Sequence, residues 1–299
     1  MDAKKTPKGK PKPPTIIEVV TRFASEDTCI SHLERIRWPR GLRCLRCNKA
    51  TVSRLESEGK TGKERHLYHC SPCRYQWSVT TGTIFHDSHL PLTKWFLAIY
   101  LICSAKKGVS AKQLQRDLGV TYKTAWYMAH RIRLAMSEEP NLLAGVCEID
   151  ETYVGGKQSG KHGREPSKKV PVVGMKEKTS GKIRLQAVRD CSSTTLKDFI
   201  RKNAEAGTEF HTDEWKGYLW LDSSEFAHRT VNHSKEYVTR DGVHTNGCEN
   251  VWSLFKRGIM GVYHKVSAKY LPLYLDEFAF RFNNRHEVDL MDKVLATCG

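Results

Sequence analysis

The chain has 299 residues, 39% hydrophobic and 27% charged, ordinary proportions for a globular protein with room for more than one domain. Its formal charge of +16 points to a polyanionic partner, either nucleic acid or an anionic membrane surface. The longest strongly apolar stretch, WFLAIYLICSA (Trp95 to Ala105), has 11 residues, too few to span a bilayer as a helix, so it reads as a buried helix and the membrane option is the weaker one.

The first 14 residues, MDAKKTPKGKPKPP, are rich in Lys and Pro and are expected to form a disordered basic arm. The segment after them contains Glu18 and lacks a long apolar run, so no signal peptide is expected, and a cytoplasmic, nucleoid-associated location is the default. Residues 15–40 carry spaced apolar positions (Ile17, Val20, Phe23, Ile30, Leu33, Ile36), which predict short helices.

Ten cysteines are unevenly placed: four fall in two CxxC pairs and six stand singly. Without an export signal, that pattern favours metal binding plus buried free thiols over a disulfide framework. Cys44 and Cys47 form one pair and Cys70 and Cys73 the other, with 22 residues between Cys47 and Cys70. Each pair suits a tight knuckle turn, and a hairpin between them gathers four thiolates into a tetrahedron suited to a structural zinc ion. A redox dithiol needs only one such pair. Residues 41–85 therefore read as a zinc ribbon.

From 90 to 137 the pattern is helical. LTKWFLAIYLICSA gives one apolar helix, and SAKQLQRDLGVTYKTAWYMAHRIRLAM gives two more joined at LGV, with Ser110 and Thr121 as N-caps. Helix, short turn and helix form the helix-turn-helix signature. Tyr122, Lys123 and Thr124 near the start of the second helix are expected to reach base edges, and Arg131 and Arg133 to meet phosphates. A generic helical hairpin is the plain alternative.

Between 144 and 290, GVCEID, VPVVGMKE, KIRLQAVRD and TEFHTDE read as strands; STTLKDFIRKNA, TNGCENVWSLFKRGIMG and KYLPLYLDEFAFRFNNR read as helices. Gly155 to Pro171 reads as an exposed basic loop. Three strands, a helix, a strand and further helices describe an α/β fold of the ribonuclease H type. Asp150 and Asp213 each close an apolar strand, and Glu249 stands 35 residues beyond Asp213 at the start of a helix. If the two strands are neighbours, both aspartates leave the same sheet edge. Three such carboxylates repel one another unless cations lie between them, and magnesium, or manganese in its place, suits hard oxygen ligands. Two such ions can serve an in-line phosphoryl displacement.

These stretches resemble the DDE transposases of bacterial insertion sequences, in the ISXO-two-like branch with an N-terminal zinc ribbon. The resemblance runs from Cys44 to Arg285 through CLRCNK, YHCSPCRYQWSVTTGTIFHDSHLPLTKWFLAIYL, EIDETYVGGK, HTDEWKGY, VNHS, HTNGCENVWSLFKRGIMGVYHKVS and YLDEFAFRFNNR, in that order. It implies a ribonuclease H-like catalytic domain with Asp150, Asp213 and Glu249 as the catalytic, metal-binding triad. It further implies that Lys256, two helical turns after Glu249, holds a DNA phosphate. Some relatives have asparagine at the third position, and here Asn246 and Asn250 flank Glu249. The implied activity is binding of terminal inverted repeats followed by metal-dependent strand cleavage and transfer into target DNA, in a homodimer or higher synaptic assembly. Two other functions fit parts of the pattern: a catalytically retired DNA-binding regulator, and a ribonuclease H-type nuclease indifferent to end sequence.

Neighbouring residues receive plainer readings. Glu151 follows Asp150 on a strand and so faces the opposite side, whereas Glu148 shares the Asp150 face and is a further candidate ligand. His211, His233 and His244 are read as structural, Trp252 and Phe255 as core, and Cys147 and Cys248 as small apolar residues.

Overall fold

The computed structural model describes residues 12–58, 64–137, 141–155, 169–223, 225–232 and 238–298. The basic arm up to residue 11, most of the basic loop between Gly155 and Pro171, and His233 lie outside the described residues. The chain divides into two compact units.

One unit comprises the chain up to Ser104, Leu114–Ala135 and the chain from His286. It opens with α1 (Ile16–Arg22) and α2 (Glu26–Arg37). Thr15 and Glu18 cap α1 reciprocally, each side chain bonding the other's backbone N–H. An antiparallel sheet follows, made of β1 (Val52–Glu58), β2 (Glu64–Cys70) and β3 (Gln76–Ser78). The apolar helix α3 (Leu92–Ser104) buries Leu92, Trp95, Phe96, Ile99 and Ile102 along one side, the stripe expected of a helix packed on a core. It packs against α2, α5 (Tyr122–Ala135) and the C-terminal helix α9 (Leu290–Ala296). The turn Gly119–Thr121 separates α4 (Ala111–Leu118) from α5. Both expected caps are present: Ser110 Oγ accepts from Gln113 N–H at 3.1 Å, and Thr121 Oγ1 from Thr124 N–H at 3.1 Å.

The second unit, Ala105–Gln113 and Met136–Arg285, is built on a five-stranded sheet. Its strands are β4 (Val146–Val154), β5 (Val170–Glu177), β6 (Ile183–Ala187), β7 (Glu209–Thr212) and β8 (Ala227–Thr230), in the order β6-β5-β4-β7-β8. The first three are antiparallel, and β7 and β8 run parallel to β4. This order and polarity are those of the ribonuclease H type. One face of the sheet (Cys147, Ile149, Val173, Met175, Phe210) packs on α6 (Ser193–Asn203) and a 3-10 segment, Lys216–Ser223. The other face packs on α7 (Asn246–Gly258) and α8 (Leu271–Asn283) through Val251, Trp252, Phe255, Leu271 and Leu275. A single π-helical turn, Ile259–Tyr263, ends α7.

β4 runs four residues past Asp150, so that acid does not end its strand. What ends there is the pairing with β7, whose last rung is Glu148 opposite His211. Carried on by two residues, the same register sets Asp150 opposite Asp213.

Candidate functional site

The two CxxC pairs meet in the first unit. Cys44 Sγ and Cys73 Sγ are 3.5 Å apart, as are Cys47 Sγ and Cys70 Sγ. All four sulfurs lie within 4.8 Å of one another. Thiolates bound at about 2.3 Å around a tetrahedral zinc are separated by roughly 3.8 Å, a value that falls within the spread of sulfur separations in this cage. Each knuckle is a turn closed by a backbone bond, Asn48 N–H to Cys44 O and Arg74 N–H to Cys70 O. The turns are completed by Asn48 and Arg74 with φ of 58° and 56°.

In the second unit, Asp150 is held from two sides. Its Oδ1 accepts from the Glu151 N–H at 2.8 Å and its Oδ2 from the Trp252 indole N–H at 3.0 Å. Burial lifts the Asp150 carboxyl to about 6; the charges of Asp213 and Glu249 add to the rise, against the two hydrogen bonds. Asp213 immediately follows β7, where its Oδ1 accepts from the Trp215 N–H at 3.0 Å. Glu249 occupies the first turn of α7, and Lys256 is exposed in the last turn of the same helix. Thus β4, the end of β7 and the start of α7 bring the three acids within electrostatic reach of one another. Their ligand atoms are not drawn as close as the sulfurs: among the described residues, only the four cysteines form a set with ligand atoms all within 4.8 Å.

The chemistry of the acids fits a divalent cation. They present hard oxygens, and their mutual repulsion at Asp150 is what an ion between them relieves.

Residues 142–283 match the model of the ISXO2-like transposase domain, and residues 24–76 that of the transposase zinc-ribbon domain. An uncharacterized transposase-like protein of Haemophilus influenzae is 32% identical over 103 residues, 34% of this chain and 82% of the relative. The chain belongs to the ISXO2-like transposase family. An uncharacterized protein in transposable element ISH50 of Halobacterium salinarum is 28% identical over 279 residues, covering 88% of this chain and 92% of the relative. Among solved structures, the HTLV-2 integrase catalytic core domain, determined in complex with magnesium, is 12% identical. It covers 46% of this chain and 85% of that one with a TM-score of 0.29, too low to carry a fold assignment, which rests on the strand order.

All three acids of the transposase lie inside its matched domain, and all four cysteines inside the matched ribbon. The helices α4 and α5 lie in neither. On α5, Tyr122 and Lys123 are exposed and Thr124 is half-buried, its hydroxyl paired with that of Thr121 at 2.8 Å. Arg131 stacks on Tyr127 and donates to the His86 carbonyl at 2.9 Å. Arg133 corrects an expectation. It is only 2% exposed, because its position falls on the buried stripe of α5 with Ala125, Met128, Ala129 and Ile132, so it presents no guanidinium to a phosphate.

Glu151 projects to the α6 side of the sheet, away from Trp252. Burial raises it to about 7, the buried Tyr218 hydroxyl opposes that rise, and Asp150 and Asp213 add to it. Glu148 does not join the three acids; it is 2% exposed and engages the start of α7. His211 is buried between Glu209 Oε1 and Lys178 Nζ, both 2.9 Å away. Cys147 and Cys248 are buried, and the Cys248 thiol donates to the Glu148 carbonyl at 3.3 Å. The role of Trp252 at Asp150 escaped the sequence, where it reads only as core. Its signal is position: three residues after Glu249 on a helix, Trp252 lies on a neighbouring face.

Proposed function

We propose that this chain is a DNA transposase that binds the terminal inverted repeats of its own element, cuts at their ends and joins the freed 3′ hydroxyl to target DNA. The observation that supports this reading is the meeting of Asp150 on β4, Asp213 just after β7 and Glu249 in the first turn of α7. Burial chiefly, and then the charges of Asp213 and Glu249, raise the Asp150 carboxyl to about 6, which suits a place where a cation is wanted.

Asp150, Asp213 and Glu249 would hold magnesium or manganese. When bound, a pair of such ions supplies activation of the attacking hydroxyl and neutralisation of the leaving oxygen. Trp252 and the Glu151 N–H orient Asp150, and the Trp215 N–H orients Asp213. Lys256, exposed on α7, would hold a DNA phosphate near the acids. Water attacks in the cleavage step and the DNA 3′ hydroxyl in the joining step, so one site serves both and no covalent enzyme intermediate is needed.

DNA recognition is assigned to the zinc ribbon and to α4 and α5 acting as a helix-turn-helix, with Tyr122, Lys123 and Thr124 toward the bases. Arg131 is already committed to a carbonyl and a tyrosine, so its phosphate contact requires it to leave them. Holding two ends together requires a dimer or higher assembly on DNA.

The test is substitution of the acids. Asp150→Asn, Asp213→Asn and Glu249→Gln each abolish magnesium-dependent end cleavage while leaving binding to the ends within twofold of wild type. Cleavage at the wild-type rate by any of the three removes that residue from the site; a wild type that binds the ends but does not cut them is a DNA-binding regulator.

A further inference from the structure

Glu148 stands two residues before Asp150 on the same face of β4 and is almost wholly buried. Its Oε2 accepts a hydrogen bond from the Cys248 N–H at 3.0 Å, and the Cys248 thiol donates back to the Glu148 carbonyl at 3.3 Å. His244 Nδ1 lies 3.2 Å from the other carboxylate oxygen. Glu148 therefore grips the chain just before α7 and within its first turn.

That turn lacks a cap of its own. Thr245 occupies the N-cap position of α7, but its side chain makes no capping bond. The first N–H groups of a helix have no partner within it, and a carboxylate there is also favoured by the helix dipole. Glu148 supplies the acceptor from another element. The fit is close: a Cβ at Gly247 would lie 2.5 Å from Glu148 Oε2 and 2.8 Å from Lys176 Nζ. A side chain at this position would make the carboxylate or the ammonium shift away from the helix backbone. The next residue after Cys248 is Glu249.

We propose that Glu148 is a positioning residue that locks the start of α7 to β4 and thereby sets Glu249 at a fixed distance from Asp150. The inference rests on the assignment of those two acids to one metal site. One strand then carries both the first acid and the tether of the third.

The test compares full-length Glu148→Ala, Glu148→Gln and Gly247→Ala with wild type and with Asp150→Asn. Two readouts are used: hydrogen–deuterium exchange of residues 245–252 without metal, and Mn2+ binding by calorimetry. Glu148→Ala speeds exchange at the first turn of α7, leaves β5 protected and weakens Mn2+ binding about tenfold, as loss of a group orienting a ligand does. Glu148→Gln keeps an acceptor oxygen and falls between. Gly247→Ala, which pushes the helix off an intact Glu148, reproduces the pattern and decides the matter if Glu148→Ala does not fold. Wild-type exchange and Mn2+ binding in these variants overturn the proposal. The assignment of the acids fails separately, if Asp150→Asn binds Mn2+ and cuts as wild type does.

Discussion

Trp252 on α7 donates its indole N–H to the Oδ2 of Asp150 on β4 at 3.0 Å, so the helix carrying Glu249 also orients the first acid. Trp252→Phe keeps the ring and removes the donor. A hydrogen bond to a charged acceptor contributes about 1.5–3 kcal/mol, so end cleavage at neutral pH falls on the order of tenfold. The Asp150 carboxyl then rises further above about 6, and the acid limb of the pH–rate profile moves to higher pH. An unmoved acid limb would remove Trp252 from the site. Gly174→Ala reaches the same bond from behind, because its Cβ would lie 2.5 Å from the Trp252 ring.

The raised carboxyl also makes the acids a burden on the metal-free fold. Folded Asp150 titrates near 6 and an ordinary aspartate near 3.8. Between those values the native state keeps a proton that the unfolded state has lost, so stability falls as pH rises through the window and stays lower above it. Asp150→Asn therefore stabilises the metal-free protein by about 1–3 kcal/mol at pH 7–8. The gain vanishes near pH 4, and magnesium cancels it at neutral pH. Thermal unfolding in chelator at the two pH values checks this; an equal gain at both would contradict it.

Several features of the fold were legible because single physical signals fix them. The CxxC pairs announce a metal cage, and the apolar runs 146–150 and 170–177 announce buried strands. The end of β7 just before Asp213 was equally plain. The place of Asp150 was not, because β4 continues to Val154 along β5 and loses only its β7 neighbour, which is a matter of pairing rather than composition. β8, with only Ala227–Thr230 and mostly exposed, has no apolar alternation to betray it. Arg133 looked like a surface cation because charge suggests exposure, yet helical spacing places it on the buried stripe of α5. Glu148 looked like a ligand because a strand's alternation tells which face a side chain shares, not what packs on that face.

The zinc ribbon offers its own check. Cys44→Ser together with Cys47→Ser abolishes stoichiometric zinc, measured by elemental analysis, and lowers the affinity for element ends. Chelation of the wild type does the same. Retained stoichiometric zinc in the double variant would contradict the cage.

On α5, Lys123 and Arg133 should separate cleanly. Lys123→Ala weakens DNA binding and lowers the slope of log K against log salt by about 0.9, the value for one lost duplex phosphate contact. Arg133→Ala leaves that slope unchanged and lowers the thermal midpoint, because its side chain is buried. A reduced slope with Arg133→Ala would restore it to the DNA face.

Asp150, Asp213 and Glu249 are proposed to form one site for both cutting and joining DNA. The direct measurement incubates the purified protein with magnesium, DNA carrying the flanking ends of its own gene and a supercoiled target, then maps nicks and joined products at nucleotide resolution. The expected products are cuts at the element ends and 3′ ends joined to the target, both lost together in Asp150→Asn. Cleavage that ignores the end sequence, or joining that survives Asp150→Asn, would contradict it.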